Sequence, residues 1–541
     1  MNRRKGTILI VTLWIIMVLA GLVLTLASTV RVEATISANG TTAAQAQAVE
    51  LGAIQYVRSR LASLKGQLPA EANLAPTCIR VGDGGFWILR PNFNDEHTYA
   101  YGIVDESSKL DLNVATSAMM QKLPDMTAEL ADSIVDWRDT DSDVSTTGAE
   151  GGYYLMLPNP YNCKNAPLET VEEVLLIKGG TPDILYGEDT NRNGVLDLNE
   201  DDGLAGDPAD NQDGNLDRGL SPYVTVYSQE RNVDANGAAR ININDVSQNS
   251  TLLQALQKAT SPQRAVSILS LVLRQRPYPS ALDFAARAGL TDAEFKAVAD
   301  RLTTSSQAVL KGLVNVNAAP REVLACLPGL TDADVVALIN KRVESGVDPS
   351  SIAWVRAALP GPKAGALGAA ITTRSYRFSA DIVSVSGDGR AFKRCRIVVD
   401  TLVSPPKVIY RQDLTHLGWP LAPEILSALR AGASLDDVNA SLSAGAAGGN
   451  RMGLTSRGGG AGVLVSNGSG KMLRMFTDSP VVRLSALFAA SQVIEHRKKA
   501  SDLGDLFQAK HFLLPSMDAS GSEGILDART GIVSRRLGDS T

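Results

Sequence analysis

The longest uninterrupted apolar pattern in the chain covers residues 7–30, 24 positions without a charged side chain. A helix of that length spans roughly 30 Å of hydrocarbon, so a membrane-crossing helix is predicted. Arg3, Arg4 and Lys5 precede it, and cations flanking a span favour the cytoplasmic side. The rest of the chain is then exported. A secretory signal peptide has the same order of basic and apolar residues. Here no obvious small-residue cleavage site follows, and the helical pattern continues through residues 31–36 to Leu61. Ala44, Ala48, Leu51, Ile54 and Leu61 are spaced as an apolar stripe on one helix face. One long helix is expected, which leaves the membrane and runs on beyond it.

Past the helix the period changes. Phe86-Trp-Ile-Leu and Tyr99-Ala-Tyr-Gly-Ile-Val are rich in aromatic and β-branched residues and read as strands. The same signal returns at residues 376–386 and 392–399, and the long stretch between is mainly helical in pattern. The predicted fold class is α+β: a long amino-terminal helix and an antiparallel sheet, begun before about residue 110 and closed after about 375, with a large mainly α-helical domain inserted. Inside the insertion Leu112-Asn-Val-Ala, Ile241-Asn-Ile-Asn and Val314-Asn-Val-Asn echo one another. They suggest a recurring strand-to-helix cap in which Asn satisfies open backbone donors. Residues 441–470 are dense in Gly, Ala and Ser and read as a flexible linker. Residues 424–429 and 483–493 have short amphipathic patterns that suggest helices.

At 541 residues the chain is too long for one core, so two or three folded units are expected. Lys and Arg number 52 against 58 Asp and Glu, a net charge of −6, which argues against nucleic acid as the main ligand. Cys78, Cys163, Cys326 and Cys395 form no C-x-x-C, and His97, His416, His496 and His511 are scattered. Zinc-ribbon, redox and triad chemistry therefore have no support, and no enzyme activity is expected. Residues 466–472 have the look of a phosphate loop, but Val465 and Met472 occupy the positions that need Gly and Ser or Thr.

The sharpest chemical signal is acidic. Asp189-Thr-Asn-Arg-Asn-Gly-Val-Leu-Asp-Leu-Asn-Glu200 fits the calcium-loop pattern D-x-[DN]-x-[DN]-G-x₅-E throughout. Asp189, Asn191 and Asn193 would converge on a hard cation and Gly194 would permit the turn. Val195 would offer its carbonyl, Asp197 would act directly or through water, and Glu200 would bind with both oxygens. Acids accumulate here against Arg192 alone, a density that repels itself without a counter-ion. A second, degraded loop follows, in which Asn211, Asp213 and Asp217 keep their spacing around Gly214. Ala209 holds its first position, and Asp207 or Asp210 would substitute there. One calcium ion is expected, with a second less complete site. Asp139, Asp141 and Asp143 form a third cluster without a turn Gly and read as surface or partner-facing.

A short basic leader ending in Gly6, followed by an apolar segment that becomes one amphipathic helix, resembles the type IV pilin and pseudopilin class. The resemblance implies cleavage between Gly6 and Thr7 by a prepilin peptidase, with methylation of the new terminus. Most members carry Glu at the fifth mature position, whereas Val11 stands here. That absence is similar to the K-type minor pseudopilin of the type II secretion system. So are Lys109-Leu-Asp-Leu-Asn-Val-Ala, Asp136-Trp-Arg-Asp-Thr-Asp-Ser-Asp, Gly148-Ala-Glu, Tyr153-Tyr, Leu313-Val-Asn-Val-Asn-Ala-Ala-Pro and Leu327-Pro-Gly-Leu, in that order. The likeness covers residues 1 to about 402.

It implies a leader at 1–6, a pilin helix at 7–61, a pilin-like sheet at 62–110 and 375–402 around an inserted domain at 111–374, and an extension of unassigned role at 403–541. It also implies calcium in the acidic region. The role implied is tip cap of a periplasmic pseudopilus, single-pass in the inner membrane, with I-type and J-type minor pseudopilins and the inner-membrane assembly platform as partners. An alternative is a pilus-like or DNA-uptake role, because residues 313–330 also resemble a helix-hairpin-helix module. The second hairpin Gly is absent and Asp332 stands nearby, which disfavours phosphate contact.

Overall fold

The apolar run and the amphipathic stretch after it form one helix, Lys5–Leu61. Its first half is bare: Leu9, Trp14, Leu24 and Ile36 are each more than 60% exposed, and the 18-residue apolar window has no buried surface. The helix is long and apolar enough there to cross a membrane. Its second half packs on the sheet through Val49, Ala53, Ile54, Val57 and Leu61. This face differs from the expected stripe, since Ala44, Ala48 and Leu51 point outward. The reason is Glu50, which lies on the buried face (3% exposed) and pairs with Arg411 Nη2 at 2.8 Å. A charge answered from 361 residues away is invisible to periodicity.

The computed structural model describes residues 5–64, 66–68, 78–201, 203, 210 and 212–440, together with five short strands between 462 and 535. The main sheet runs in the order Ile79–Val81, Gly84–Arg90, Arg377–Val385, Phe392–Asp400, Lys407–Asp413, each pair antiparallel. Ala100–Tyr101 and Val104–Asp105 add to its flank. Alternate residues Phe378, Ala380 and Ile382 face Cys395, Ile397 and Val399 in the core beneath the helix.

The sheet does not close at residue 402 as expected. Lys407–Asp413 adds another strand, and helix Pro423–Arg430, matching the amphipathic pattern at 424–429, buries Ile425, Leu426 and Leu429. The added strand escaped notice because it is an edge strand with exposed and half-buried residues in alternation and no strong apolar run. The first compact unit extends to Leu435, and residues 436–541 form a second unit. That unit contains an antiparallel pair, Gly462–Ser466 with Met472–Phe476, and a three-stranded sheet from Leu513–Met517, Glu523–Asp527 and Val533–Arg535. The expected helix at 483–493 lies outside the described residues.

Between the two halves of the main sheet sits the insertion, with its own core running from Leu110 to Ile371. The sequence echoes become a threefold repeat. Leu110–Asp111 pairs in parallel with Val224–Thr225, Ile241–Asn242 with Leu302–Thr303, and Val314–Asn315 with Ile371–Thr372. Asp111, Asn242 and Asn315 each accept the N–H two residues on. Asn113, Asn244 and Asn317 reach the carbonyls of Leu168, Tyr278 and Pro349. Arg138, Arg276 and Arg342 donate to the carbonyls of Leu112, Ile243 and Val316. The Asn side chains thus satisfy turn donors and tie returning loops, whereas helices are capped by Thr127, Ser261 and Thr331.

The insertion joins the sheet through two buried acids. Asp105 accepts from Ser107 N, Asn315 Nδ2 and Ser375 Oγ. Burial pushes its carboxyl up to about 7, against the pull of those hydrogen bonds. Glu106 is buried too, yet Lys109, Ser379 and Thr225 hold it below its ordinary value. A carboxyl raised in the folded state costs stability when ionised, and that cost fades as pH falls from about 7 towards 4. Acidification from pH 8 to 5.5 should therefore stabilise wild type relative to Asp105→Asn in chemical denaturation. Parallel pH profiles for the two would contradict it.

Candidate metal centre

The acidic loop leaves helix Pro182–Tyr186 and turns tightly, with Arg192 at φ 57° and Gly194 at φ 73°. A Cβ on Gly194 would also stand a tight 3.3 Å from Pro91 Cα, at the end of a sheet strand, and the positive φ is what favours glycine there. Asp189 accepts from Asn193 N and Gly194 N at 2.9 Å each. Glu200 folds back on the loop, accepting from Thr190 N and Oγ1 through one oxygen and from Asp197 N through the other. Asn191 and Asn193 both turn their amides to Asp197 Oδ2, at 2.7 and 3.0 Å. Val195 is buried and its N–H meets Asn193 Oδ1. The pattern positions one, three, five, seven, nine and twelve thus share one compact turn.

Two features fit this donor set to a hard cation. Asp189, Asn193 and Glu200 are all buried. Burial pushes Asp189 up to about 6, and burial with the neighbouring Asp189 charge pushes Glu200 up to about 7. A buried carboxylate whose ionisation a neighbouring carboxylate disfavours, as Asp189 does for Glu200, is the kind of group a divalent cation relieves. The three carboxylates of this loop do not, however, all lie within 4.8 Å of one another; among the described residues that spacing is met by Asp139, Asp141 and Glu150.

In the second loop, Asp207 and Asn211 lie outside the described residues. Gly214 takes the turn conformation at φ 72°, Asp213 accepts from Asn215 N, and Asp217 accepts from Gly219 N. Asp210 accepts from Gly203 N and Gln212 N. The two loops meet back to back, since Glu188 N donates to Asp217 O while Glu188 Oε2 accepts from Asp217 N. Glu188 was not among the predicted ligands. Its carboxyl is raised by burial and then by Asp217, Asp210 and Asp213, which makes it part of the same acidic centre. Its adjacency to Asp189 was the available signal.

Arg394 anchors the first loop. Its side chain is fully buried, pairs with Asp381 at 2.7 Å, and donates to the carbonyls of Asn191 and Arg192. Glu96 grips the second loop through Leu216 N and Arg218. Gly6 and Thr7 lie at the start of the long helix, and Val11 is 56% exposed on it.

The long amino-terminal helix packs on an antiparallel sheet, the arrangement expected of a pilin-like head. Residues 110–186 match the family described as "Type II secretion system (T2SS), protein K". Among solved structures, the chain is similar to one in the GspK-GspI-GspJ complex from the enterotoxigenic Escherichia coli type 2 secretion system. Identity is 16%, the TM-score is 0.32, and the match covers 71% of this chain and 99% of that one. Comparison with curated proteins found no match.

If the Asp189 loop holds calcium, the full-length protein in detergent should melt at lower temperature in chelator and recover with calcium. Saturation at about 100 times the dissociation constant corresponds to about 2.7 kcal/mol. Glu200→Gln should lose most of the recovery. A melting temperature indifferent to calcium would contradict the site.

Proposed function

We propose that this protein caps the tip of a short periplasmic pseudopilus, one copy per fibre, and helps to initiate its assembly for export across the outer membrane. The observation that carries the reading is the bare apolar half of the helix with Val11 at the fifth position after Gly6. A lone carboxylate in an apolar packing zone is costly and persists where the amino terminus of a neighbour pairs with it. A subunit with no neighbour ahead has no use for that carboxylate. The insertion between the two halves of the sheet supports the same position, because so large a body obstructs another subunit stacking on it.

Prepilin peptidase cuts between Gly6 and Thr7 in this reading. The helix then holds the protein in the inner membrane with its head in the periplasm, where it joins I-type and J-type minor pseudopilins and the assembly platform. Its part is structural and not catalytic, and calcium in the Asp189 loop braces the head. The DNA-uptake alternative has weaker support: at the hairpin around Gly329, Asp332 and Asp334 occupy the first turn of the following helix, where a phosphate would meet negative charge.

Gly6→Ala should leave the leader attached and abolish recovery of I-type and J-type pseudopilins with a tagged chain. A mature amino terminus anywhere other than Thr7 would overturn the processing. Recovery of the major pseudopilin in excess over the minor ones would overturn the tip position.

A further inference from the structure

Between the acidic loop and the main sheet lies a cavity of about 60 Å³, with room for about four waters or one small oxyanion. Strands Gly84–Arg90, Arg377–Val385 and Phe392–Asp400 contribute one wall, and the loop with the segment from Arg218 to Pro222 contributes the other. The chain as a whole is acidic, at a net charge of −6, but this lining is not. Among the described residues, Arg90, Lys109, Arg192, Arg218 and Arg396 line it together with the acids Asp189 and Asp381.

Both acids are already answered. Asp381 accepts from Arg394 Nε and Nη2 at 3.0 and 2.7 Å, and more weakly from Arg396 Nη2 at 3.3 Å. Asp189 accepts the N–H groups of Asn193 and Gly194. Two of the cations, by contrast, keep unused donors. Arg218 is 7% exposed and donates to Glu96 and to the Asn92 carbonyl, while its buried Nε meets no acceptor. Arg192 has its Cζ 3.6 Å from the centre of the Tyr186 ring, and its guanidinium makes no hydrogen bond or ion pair among the described residues. Glu172 acts on Arg192 and Arg396 from beyond ion-pair distance, and its own carboxylate meets the Tyr410 hydroxyl at 3.3 Å.

Like charges that converge in a partly buried cleft repel, because water screens them poorly there. Burial, then the charges of Arg396 and Arg394, hold Arg192 below its ordinary value against the pull of Tyr186 and Glu172. An oxyanion relieves that repulsion, and planar guanidinium forks match its oxygens in pairs. Arg192 is in position without a ligand, since Arg394 holds its carbonyl and the Tyr186 ring its guanidinium.

We propose that this cavity binds a small oxyanion through Arg192, Arg218 and Arg396, the group being the carboxylate of a neighbouring chain or a free tetrahedral anion. The bound group bridges the acidic loop and the sheet, and makes between Arg192 and Arg396 the contact that Glu172 is too distant to make.

The test is the melting temperature of the full-length protein in detergent, titrated with sodium sulfate or sodium acetate at an ionic strength held constant with chloride. A saturable rise is expected, with sulfate the better ligand if the natural group is tetrahedral and acetate the better if it is a carboxylate. Arg192→Gln breaks no hydrogen bond and should fold as wild type, yet raise the half-saturating concentration at least about tenfold, the weight of one charged hydrogen bond. Arg396→Gln should do the same, and Arg274→Gln, at an exposed position on helix Pro262–Gln275, should leave it unchanged. No rise with either anion, the same rise with chloride alone, or equal half-saturation in wild type, Arg192→Gln and Arg396→Gln would overturn the site.

Discussion

Arg394 is the residue on which the head depends. It lies in the middle of the main sheet with no exposed side-chain surface, bound to Asp381 across the strand pair and to two carbonyls of the acidic loop. Taking a guanidinium and a carboxylate out of water is expensive, and removing one partner of such a pair costs about 3–5 kcal/mol. This pair is retained where it does two things at once. It holds neighbouring strands in register and fixes the backbone of residues 191 and 192, so the acidic loop is fastened to the main sheet and does not hang from the insertion alone.

The insertion is organised by a different constraint, repeated three times. In each unit a two-residue parallel strand pair is closed by an Asp or Asn turn, an Asn that grips a returning loop, and an Arg that covers carbonyls. Short strands alone are marginal. Side-chain hydrogen bonds to backbone supply the order that longer ladders would otherwise provide, and the helices bury their apolar faces on one common core. The first unit carries the protein K match and the Asp139, Asp141 and Glu150 cluster.

What could be read from sequence was local. The long helix, the strands flanking the insertion and the Asn echoes announce themselves by period or by repeated short words, and the Asp189 loop by fixed spacing. What escaped reading was long-range. Glu50 belongs to the buried helix face because Arg411 answers it. The strand Lys407–Asp413 is an edge with little apolar content. Glu188 and Glu150 join acidic centres through the folding of neighbouring loops and not through any motif. Arg394, one of many basic residues in the sequence, becomes central only when residues 191 and 192 are brought to it, about 200 positions away.

In the proposed function, the apolar helix, the sheet and the bulky insertion make an end piece that attaches from one side only. Labelling the head of the protein and imaging assembled pseudopili by electron microscopy tests this most directly. A single label at one end of each fibre is the predicted result; labels at regular intervals along the shaft would contradict it.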